Sequence, residues 1–296
     1  MIYVTMNEKG GVGKSTVAFH FLTAYLLQKK NEKLLTNAEL KGTPLVRVFE
    51  FDEHNKTKDN FSNDFFMEVE SVSLDNSSME EAFSNIEFYS DEEDVILDIG
   101  GSQNTDKFLD MLSESGLKEN ILFIVPDTNS RSSGLENTVS KILECNNNRK
   151  DNVIVVLNSA TSGVPMEEDF IFYFGSKNMD IPASWLSKES EIKVGVIGEN
   201  RLALSLSELS RVSLFSLARD ALGIPSDTKG KRLRWSTEQD DDGNDIPCSQ
   251  EVFVERMRFY YRGVKGVRAL SSAEPFFDLL DHHRDSTFLS LAKESK

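Results

Sequence analysis

The sequence has little of the chemistry that marks several common protein classes. It holds two cysteines in 296 residues, Cys145 and Cys248, and they form no CxxC or Cys/His pattern, which argues against a disulfide framework and a zinc site. The longest apolar runs, residues 121–125 and 153–157, are far shorter than the roughly 20 residues that a membrane span needs. The first residues predict a core strand and no signal peptide. We therefore expect a reduced, soluble, cytoplasmic protein.

Basic charge is scarce before residue 229. The chain has 33 lysines and arginines against 49 aspartates and glutamates, a formal net charge of −16. Residues 229–296 hold 12 basic and 12 acidic side chains, so the whole acidic excess lies in residues 1–228. A strongly acidic body argues against general coating of nucleic acid or of an anionic membrane. A local basic patch remains compatible with this charge.

Strands and helices are predicted to alternate along most of the chain. Six short β-rich runs, most of them continuously apolar, are residues 2–6, 46–51, 94–99, 121–126, 153–158 and 193–197. Helical patterns lie between and after them at residues 14–30, 106–114, 132–143 and 201–222. This alternation predicts an α/β fold, a doubly wound and mostly parallel sheet with helices on both faces. The functional sites of such sheets lie at the carboxyl ends of the strands.

A polar, highly charged and turn-rich segment, residues 226–247, interrupts this alternation. Two further helices are predicted after it, at residues 249–262 and 275–292. We therefore predict a first domain of residues 1–225. The remainder, residues 226–296, is predicted to be a charged linker followed by a small helical C-terminal extension.

The most specific feature of the sequence is a glycine-rich loop. Residues 7–16, NEKGGVGKST, follow the first strand and open the first helix, which is the context that a phosphate-binding loop requires. The glycines let backbone N–H groups converge on phosphate oxygens, and the helix N-terminus adds partial positive charge. Lys14 is placed to reach the β- and γ-phosphates of a nucleotide, and the Ser15 hydroxyl to bind Mg²⁺. A second lysine, Lys9, precedes the glycines.

This loop departs from the standard GxxxxGK[ST] pattern, because Glu8 stands where that pattern places glycine. The run KGGVGKST instead resembles the deviant phosphate loop of the ParA/MinD-type P-loop ATPases. The resemblance implies that ATP, with Mg²⁺, is bound by Gly10, Gly11, Val12, Gly13, Lys14, Ser15 and Thr16. It also implies that Lys9 reaches across a two-fold interface to the ATP of a second subunit in a homodimer. A cation there would stabilise charge much as an arginine finger does.

Two carboxylates resemble family positions at the ends of predicted strands. Asp52, in VFEFDEHNKT, falls where the family keeps the aspartate that positions the attacking water, although Glu50, Glu53 and His54 depart from the family pattern. Asp98, in VILDIGG, resembles the Walker B aspartate that holds Mg²⁺ through a water. The DIGG run departs from the DxPP or DTPG of most partition ATPases. It looks more like ParA relatives encoded with plasmid maintenance and conjugation genes.

Two further residues have counterparts in the family. Asn158 ends a predicted strand and resembles the asparagine that contacts the adenine base, since an amide can both donate to and accept from a base edge. Arg201 lies where some DNA-binding relatives carry a basic residue, and an ordinary surface arginine is the alternative. The resemblance covers residues 1–225 and does not extend into the remainder of the chain.

The predicted helix 249–262 introduces basic side chains. Arg258, Arg262 and Lys265 share one helical face and are interleaved with aromatic residues, a pattern that can contact nucleic acid by stacking and phosphate binding. A packed or partner-binding helical appendage is the alternative. Glycines at 263 and 266 are potential ends of this helix.

The last predicted helix is apolar on one side but acidic around it. Asp278, Asp281 and Asp285 argue against a MinD-like membrane anchor, which would need lysines and arginines beside the apolar residues. We expect this helix to pack against the body of the protein. His282 and His283 are adjacent and do not share a helical face, so no metal site is expected there.

The resemblance implies a slow, partner-stimulated ATPase in which Lys9, Lys14 and Asp52 are catalytic. It would dimerise on ATP and release a protein partner, nonspecifically bound DNA or cargo after hydrolysis, in DNA or plasmid segregation or the positioning of a cargo complex. The alternative is an ATP-binding adaptor or conjugation accessory protein with little hydrolysis that binds a protein partner and no DNA. A redox relative of the nitrogenase iron protein would need cysteines after the switch strands, where Cys145 and Cys248 do not fall.

Overall fold

A seven-stranded parallel sheet forms the centre of the described part of the molecule. The structure is a computed structural model that describes residues 1–35, 46–52, 57–64, 66–115, 117–129, 134–222, 237–239 and 245–294. The sheet strands are β1 (Ile2–Thr5), β2 (Val46–Phe51), β3 (Met67–Ser71), β4 (Val95–Ile99), β5 (Ile121–Asp127), β6 (Val153–Ala160) and β7 (Lys193–Gly198). Their order is β3-β2-β4-β1-β5-β6-β7, and all neighbours are parallel. The central strand β1 therefore lies between β4 and β5.

Helices connect these strands and follow them. They are α1 (Lys14–Thr16), α2 (Thr23–Leu35), α3 (Asn76–Ser90), α4 (Gln103–Glu114), α5 (Gly134–Cys145), α6 (Met166–Asp169), α7 (Ile171–Phe174), α8 (Arg201–Ser210), α9 (Leu214–Leu222), α10 (Gln250–Ser271) and α11 (Glu274–Glu294). A π-helical stretch, Val17–Leu22, joins α1 to α2. Two short antiparallel strands, β8 (Thr237–Gln239) and β9 (Asp245–Pro247), precede α10.

Helices cover both faces of the sheet. Successive side chains of a strand point to opposite faces, so Ile2 and Val4 of β1 enter one hydrophobic layer and Tyr3 enters the other. The first layer is completed by α3, α4 and α5, and the second by α2, α9, α10 and α11. The predicted α/β class, with a parallel sheet between two helical layers, is confirmed.

The strand β3 and the helix α3 are absent from the sequence prediction. In β3, Glu68 alternates with apolar residues and pairs with Arg47 of β2, because β3 is an edge strand with one polar side. No continuous apolar run marks it. In α3 the signal was present, since Met79, Phe83 and Ile86 are buried at helical spacing and Asp75 caps the helix by accepting from the Ser78 N–H at 3.0 Å.

The predicted helix 201–222 is wrong as a single element, because it is divided into α8 and α9. Arg211 has φ +57°, in the left-handed region that ends a helix. Asp64 then accepts hydrogen bonds from the Ser213 N–H at 2.6 Å and from the Ser216 hydroxyl at 2.9 Å. These bonds start α9 in a new direction.

The predicted end of the next helix at residue 262 is also wrong, because α10 continues to Ser271. A Cβ atom added at Gly266 would lie 2.8 Å from the backbone nitrogen of Ala218 in α9. The glycine thus lets two helices approach closely and does not end α10. Helix propensity alone would have disfavoured it there.

The last helix packs against the body, as the sequence favoured. Phe276 and Leu280 are buried in the same layer as Tyr3 and Tyr25. The Tyr25 hydroxyl donates to Asp281 at 2.8 Å, so an acidic residue of α11 serves an internal contact. The predicted boundary near residue 225 and most of the charged linker lie outside the described residues. Within the described part of the chain, no helix is long and apolar enough to cross a membrane.

Candidate functional site

The glycine-rich loop joins β1 to α1 at the carboxyl end of the sheet. Gly11 and Gly13 have φ of +76° and +93°, conformations that side-chain-bearing residues rarely adopt. A Cβ at Gly13 would also lie 2.0 Å from Asn158 Nδ2, whereas Cβ atoms at Gly10 and Gly11 would meet no heavy atom within 4 Å. The loop is therefore tightly supported on the side of β6 and faces open space at its tip.

The residues just before the glycines tie this loop to β5 and α5. Asn7 is buried, and its Nδ2 donates to the Pro126 carbonyl at 2.8 Å while its Oδ1 accepts from the Lys9 N–H at 2.9 Å. The Glu8 N–H donates to the Thr138 hydroxyl at 3.0 Å. Lys9 is thus held through its backbone, and its side chain is half-buried.

Lys14 lies folded over the loop. It is buried, and its Nζ donates to the Lys9 carbonyl at 2.9 Å. Burial lowers the pKa of Lys14, whereas the nearby carboxylates of Asp98 and Asp52 raise it. The structure therefore brings the predicted lysine and both predicted carboxylates into one electrostatic site.

Asp98 is the buried acid of this site. Its Oδ2 accepts from the Ser15 hydroxyl at 2.6 Å, and its Oδ1 accepts from the Thr5 hydroxyl at 2.9 Å. Burial raises the pKa of Asp98 to about 6, although these hydrogen bonds and Lys14 act in the opposite direction. A carboxylate joined to a hydroxyl is oxygen chemistry that suits Mg²⁺. Within the described residues no three His, Cys, Asp or Glu side chains form a metal cluster, but Mg²⁺ usually needs only one or two protein carboxylates beside phosphates and waters.

The segment after Asp98 is wedged between β2 and the loop. The Gly100 N–H donates to the Phe51 carbonyl at 2.9 Å, and the Ser102 N–H donates to the Glu8 carbonyl at 3.0 Å. Ser102 has φ +52° and ψ −111°, an unusual backbone conformation for a serine. A movement of the loop would therefore shift the start of α4, because the Ser102–Glu8 hydrogen bond joins them.

The two acids at the end of β2 differ in their surroundings. Glu50 is fully buried and accepts from the Thr57 N–H at 3.0 Å and from the Ser71 hydroxyl at 3.1 Å, so it ties β2 to β3 and to the following turn. Asp52 is half-buried and acts electrostatically on Lys14. Glu53 and His54, which depart from the family pattern, lie outside the described residues.

Asn158 lies against the loop, where β6 is irregular. The register of β6 with β7 shifts between Asn158 and Ala160, and the intervening Ser159 has φ +66°. This bulge aims the Asn158 amide at the loop, where Nδ2 donates to the Val12 carbonyl at 3.3 Å. The contact supports the loop in this structure, and the predicted role at the adenine base stays a prediction.

The predicted basic residues do not form one cluster. Arg201 is exposed at the start of α8 and pairs with Glu199 at 2.7 Å, whereas the Arg262 guanidinium contacts the Ser210 hydroxyl at the opposite end of α8. The length of α8 separates them. Arg258 is exposed and Lys265 is half-buried on α10, and the continuous helix keeps both on the face of Arg262.

Sequence reasoning missed several residues that shape the site. Thr5, Asn7 and Glu8 are polar residues at the end of an apolar strand, which is a usable signal for a site at a carboxyl edge. Lys141 of α5 forms an ion pair with Glu8, and its role had no local signal, since the contact spans most of the domain.

Comparison with known proteins identifies no family for this chain. A scan of the sequence against family models finds no match, and a search of curated proteins also finds none. Inference about function depends on the residues and their geometry.

Proposed function

We propose that this protein is a nucleotide-switched ATPase of the ParA/MinD type, with a P-loop fold, that hydrolyses ATP to ADP and phosphate. The observation that carries this proposal is the hydrogen bond between Ser15 and Asp98 beside buried Lys14, beneath a loop whose tip glycines, Gly10 and Gly11, face open space. A glycine-rich turn with no ligand would have no need for a buried carboxylate and a buried lysine at its base. Their burial costs free energy that a bound phosphate and Mg²⁺ would offset.

Different residues of the site bind the phosphates and the Mg²⁺ of the nucleotide. The N–H groups of the loop and the N-terminus of the first helix bind phosphate oxygens. Lys14 exchanges its bond to the Lys9 carbonyl for the β- and γ-phosphates. Ser15, and Asp98 through a water, would hold Mg²⁺, which would supply charge neutralisation at those oxygens. Thr5 fixes the Asp98 carboxylate for this role.

Hydrolysis requires an oriented water and a stabilised transition state. Asp52, at the end of β2 and within electrostatic reach of Lys14, orients the water. Lys9, whose backbone is fixed by Asn7, is the cation offered to a second subunit across a two-fold interface. The homodimer with ATP at its interface is therefore the active state.

The test is ATP binding and phosphate release with Mg²⁺ in the wild type and three variants. Lys14→Ala should lose nucleotide binding, and Asp52→Ala should bind ATP but turn over slowly. Lys29→Ala removes a lysine that pairs with Asp281 away from the site, and it is the matched control. Nucleotide binding that is equal in Lys14→Ala and Lys29→Ala would refute the proposed site.

Dimerisation is tested separately with Lys9→Ala. Light scattering with a slowly hydrolysed ATP analogue should show a dimer for the wild type and a monomer for this variant, with monomer affinity for ATP retained. A variant that dimerises and hydrolyses ATP normally would remove the trans role of Lys9. ATP-dependent dimers without turnover would instead identify the adaptor.

The biological setting that we propose is DNA or plasmid segregation, or the positioning of a cargo complex, with a protein partner that stimulates turnover. Leu202 and Leu209 are 58% and 84% exposed on one side of α8, which suits a protein contact. DNA binding through Arg201, Arg258, Arg262 and Lys265 is less favoured because Arg201 pairs with Glu199 at the opposite end of α8 from Arg262. Anisotropy with a duplex, ATP and Mg²⁺ at about 50 mM salt distinguishes these possibilities, since phosphate contacts are strongest at low salt.

A further inference from the structure

Glu8 is the residue that replaces glycine in the phosphate loop. Its N–H, its carbonyl and its carboxylate each have a hydrogen-bond or ion-pair partner. Its N–H donates to Thr138 at 3.0 Å, and its carbonyl accepts from the Ser102 N–H at 3.0 Å. Its carboxylate accepts from Asn137 and pairs with Lys141. A glycine at this position could make the backbone contacts but not the side-chain contacts.

Helix α5 acts as the platform for this part of the loop. Asn137, Thr138 and Lys141 all reach Glu8 from its first two turns. A Cβ added at Gly134, the first residue of α5, would lie 3.1 Å from the Lys9 Cβ. The position of Lys9 is therefore set by how α5 holds Glu8.

Helix α4 is connected to the same residue by two routes. The first is the backbone bond from Ser102, immediately before α4, to Glu8. The second passes through Lys141, whose Nζ lies 2.5 Å from Asp106 Oδ1 in the first turn of α4. We name Glu8, Lys141 and Asp106 the Glu8 brace. Hydrogen bonds to both carboxylates raise the pKa of Lys141 to about 12, so its cation persists at any physiological pH.

We propose that Lys141 is a positioning residue that couples the segment after Asp98 to Lys9 through Glu8. This inference deepens the proposed ATPase function and depends on it for its kinetic consequence. When the segment 100–102 responds to the γ-phosphate, the Glu8 brace moves α4, α5 and the Lys9 backbone together. Without Lys141, Glu8 and Asp106 face each other as like charges, and the ion pairs that connect Glu8 to the first turn of α4 through this side chain are lost.

Stability alone would not explain such a residue. The three side chains are partly exposed, at 32% for Lys141, 18% for Glu8 and 53% for Asp106, and exposed ion pairs contribute little to folding. Lys150 offers a matched control, because it pairs with Glu189 at 2.7 Å with 26% and 22% exposure, away from the loop. Both lysines can be changed to methionine, which keeps the length of the side chain.

The first experiment measures amide hydrogen exchange in the nucleotide-free wild type, Lys141→Met and Lys150→Met. Lys141→Met should speed exchange at the amides of Glu8 and Ser102 by about tenfold, because both hydrogen bonds are made at Glu8, whose carboxylate loses its ion pair in this variant. Lys150→Met should leave them unchanged. This measurement needs no ATPase activity, so it remains decisive if the proposed function fails in the wild type.

The second experiment measures ATP turnover and affinity in the same variants. Lys141→Met should lower kcat about tenfold while KM and ATP affinity change less than about twofold, since it displaces Lys9 without touching the nucleotide. Lys141→Arg should restore most of kcat because it can pair with both carboxylates. Glu8→Gln in the Lys141→Met background should cause no further loss if both act through one connection.

Each result either supports or overturns the proposal. Unchanged exchange at Glu8 and Ser102 in Lys141→Met overturns it, whatever the activity of the wild type. Altered exchange with a kcat equal to that of Lys150→Met overturns the positioning role. Additive losses in the double variant would show that Lys141 does not act through Glu8. A wild type that neither binds nor hydrolyses ATP refutes the proposed function and leaves the exchange result to decide the coupling.

Discussion

The aspartates at the two ends of strand β4 differ in their partners and in their burial. Asp94, just before the strand, pairs with Arg284 of α11 at 2.9 Å and with the N-terminal ammonium of Met1 at 3.3 Å. Asp98, near the other end, is buried with its hydrogen bonds supplied by the hydroxyls of Thr5 and Ser15. Burial raises the pKa of Asp98 to about 6. One end of β4 therefore carries an aspartate whose charge is paired, and the other end carries an aspartate whose charged form is destabilised by burial.

This difference separates the structural end of the sheet from the end where we propose the functional site. At the amino end, opposite charges meet and hold the last helix in place, with Lys29 and Tyr25 both reaching Asp281. At the carboxyl end, a carboxylate and a lysine are buried at a cost that their mutual attraction only partly offsets. Groups that are costly to bury and gathered in one cleft are candidates for function.

The largest expected effect is a loss of ATP turnover when Asp98, but not Asp94, is changed to asparagine. Asp98→Asn should lower Mg²⁺-dependent ATP turnover by about 10- to 100-fold, as loss of an outer ligand to a metal does. Its folding stability at neutral pH should not fall, because a poorly solvated charge is removed.

Asp94→Asn is the counterpart of this change. It should leave turnover nearly unchanged and lower the free energy of unfolding by about 1–2 kcal/mol, because Arg284 is left without its partly buried partner. Denaturant unfolding and phosphate release on both variants check the pair. Equal losses of turnover would erase the proposed distinction between the two ends.

The second comparison uses Gly13 and Gly266. A side chain is disfavoured at each of them, but for a different reason. Gly13→Ala forces a side chain into φ +93° and against Asn158, so it should lower nucleotide affinity at least about tenfold. Gly266→Ala places a Cβ 2.8 Å from the Ala218 nitrogen and should lower the free energy of unfolding by about 1–3 kcal/mol. Titration calorimetry with ATP should show normal affinity for Gly266→Ala. A normal affinity in Gly13→Ala would mean that the loop does not bind phosphate in this conformation.

The same two ends show what the sequence can predict. The loop and Asp98 were found because a strand, glycines and a strand-end acid are local patterns. Asp94 is also an aspartate at one end of β4, and only the direction of the strand shows that it lies at the amino end. Once the alternation of strands and helices is recognised, that direction follows from the parallel topology.

Tertiary contacts set the limit of such predictions. Glu8 and Lys141 are far apart in sequence, and no local pattern joins them. Gly266 looked like a helix end because propensity disfavours glycine inside helices, but close packing with α9 overrides propensity. The edge strand β3 was missed because its exposed Glu68 interrupts the apolar run that marks the central strands.

The last comparison concerns the pH dependence of the free energy of unfolding between about 6.5 and 4, where two buried groups oppose each other in the wild type. Burial lowers the pKa of His20 to about 4 from an ordinary 6.5, so its neutral form favours folding and stability is lost as the pH falls through this range. Asp98 has a pKa of about 6 against an ordinary 3.8, so its protonated form favours folding and a penalty is relieved as the pH falls. Asp98→Asn removes the relief and keeps the loss from His20. Its free energy of unfolding should therefore decline more steeply than that of the wild type between pH 6.5 and 4, by about 2–3 kcal/mol over the range. Asp94→Asn, followed by the same urea titrations, supplies the control for losing a carboxylate elsewhere. If the curves of Asp98→Asn and wild type stay parallel, the Asp98 carboxyl is not strained, and the contrast between the two ends of β4 is one of partners alone.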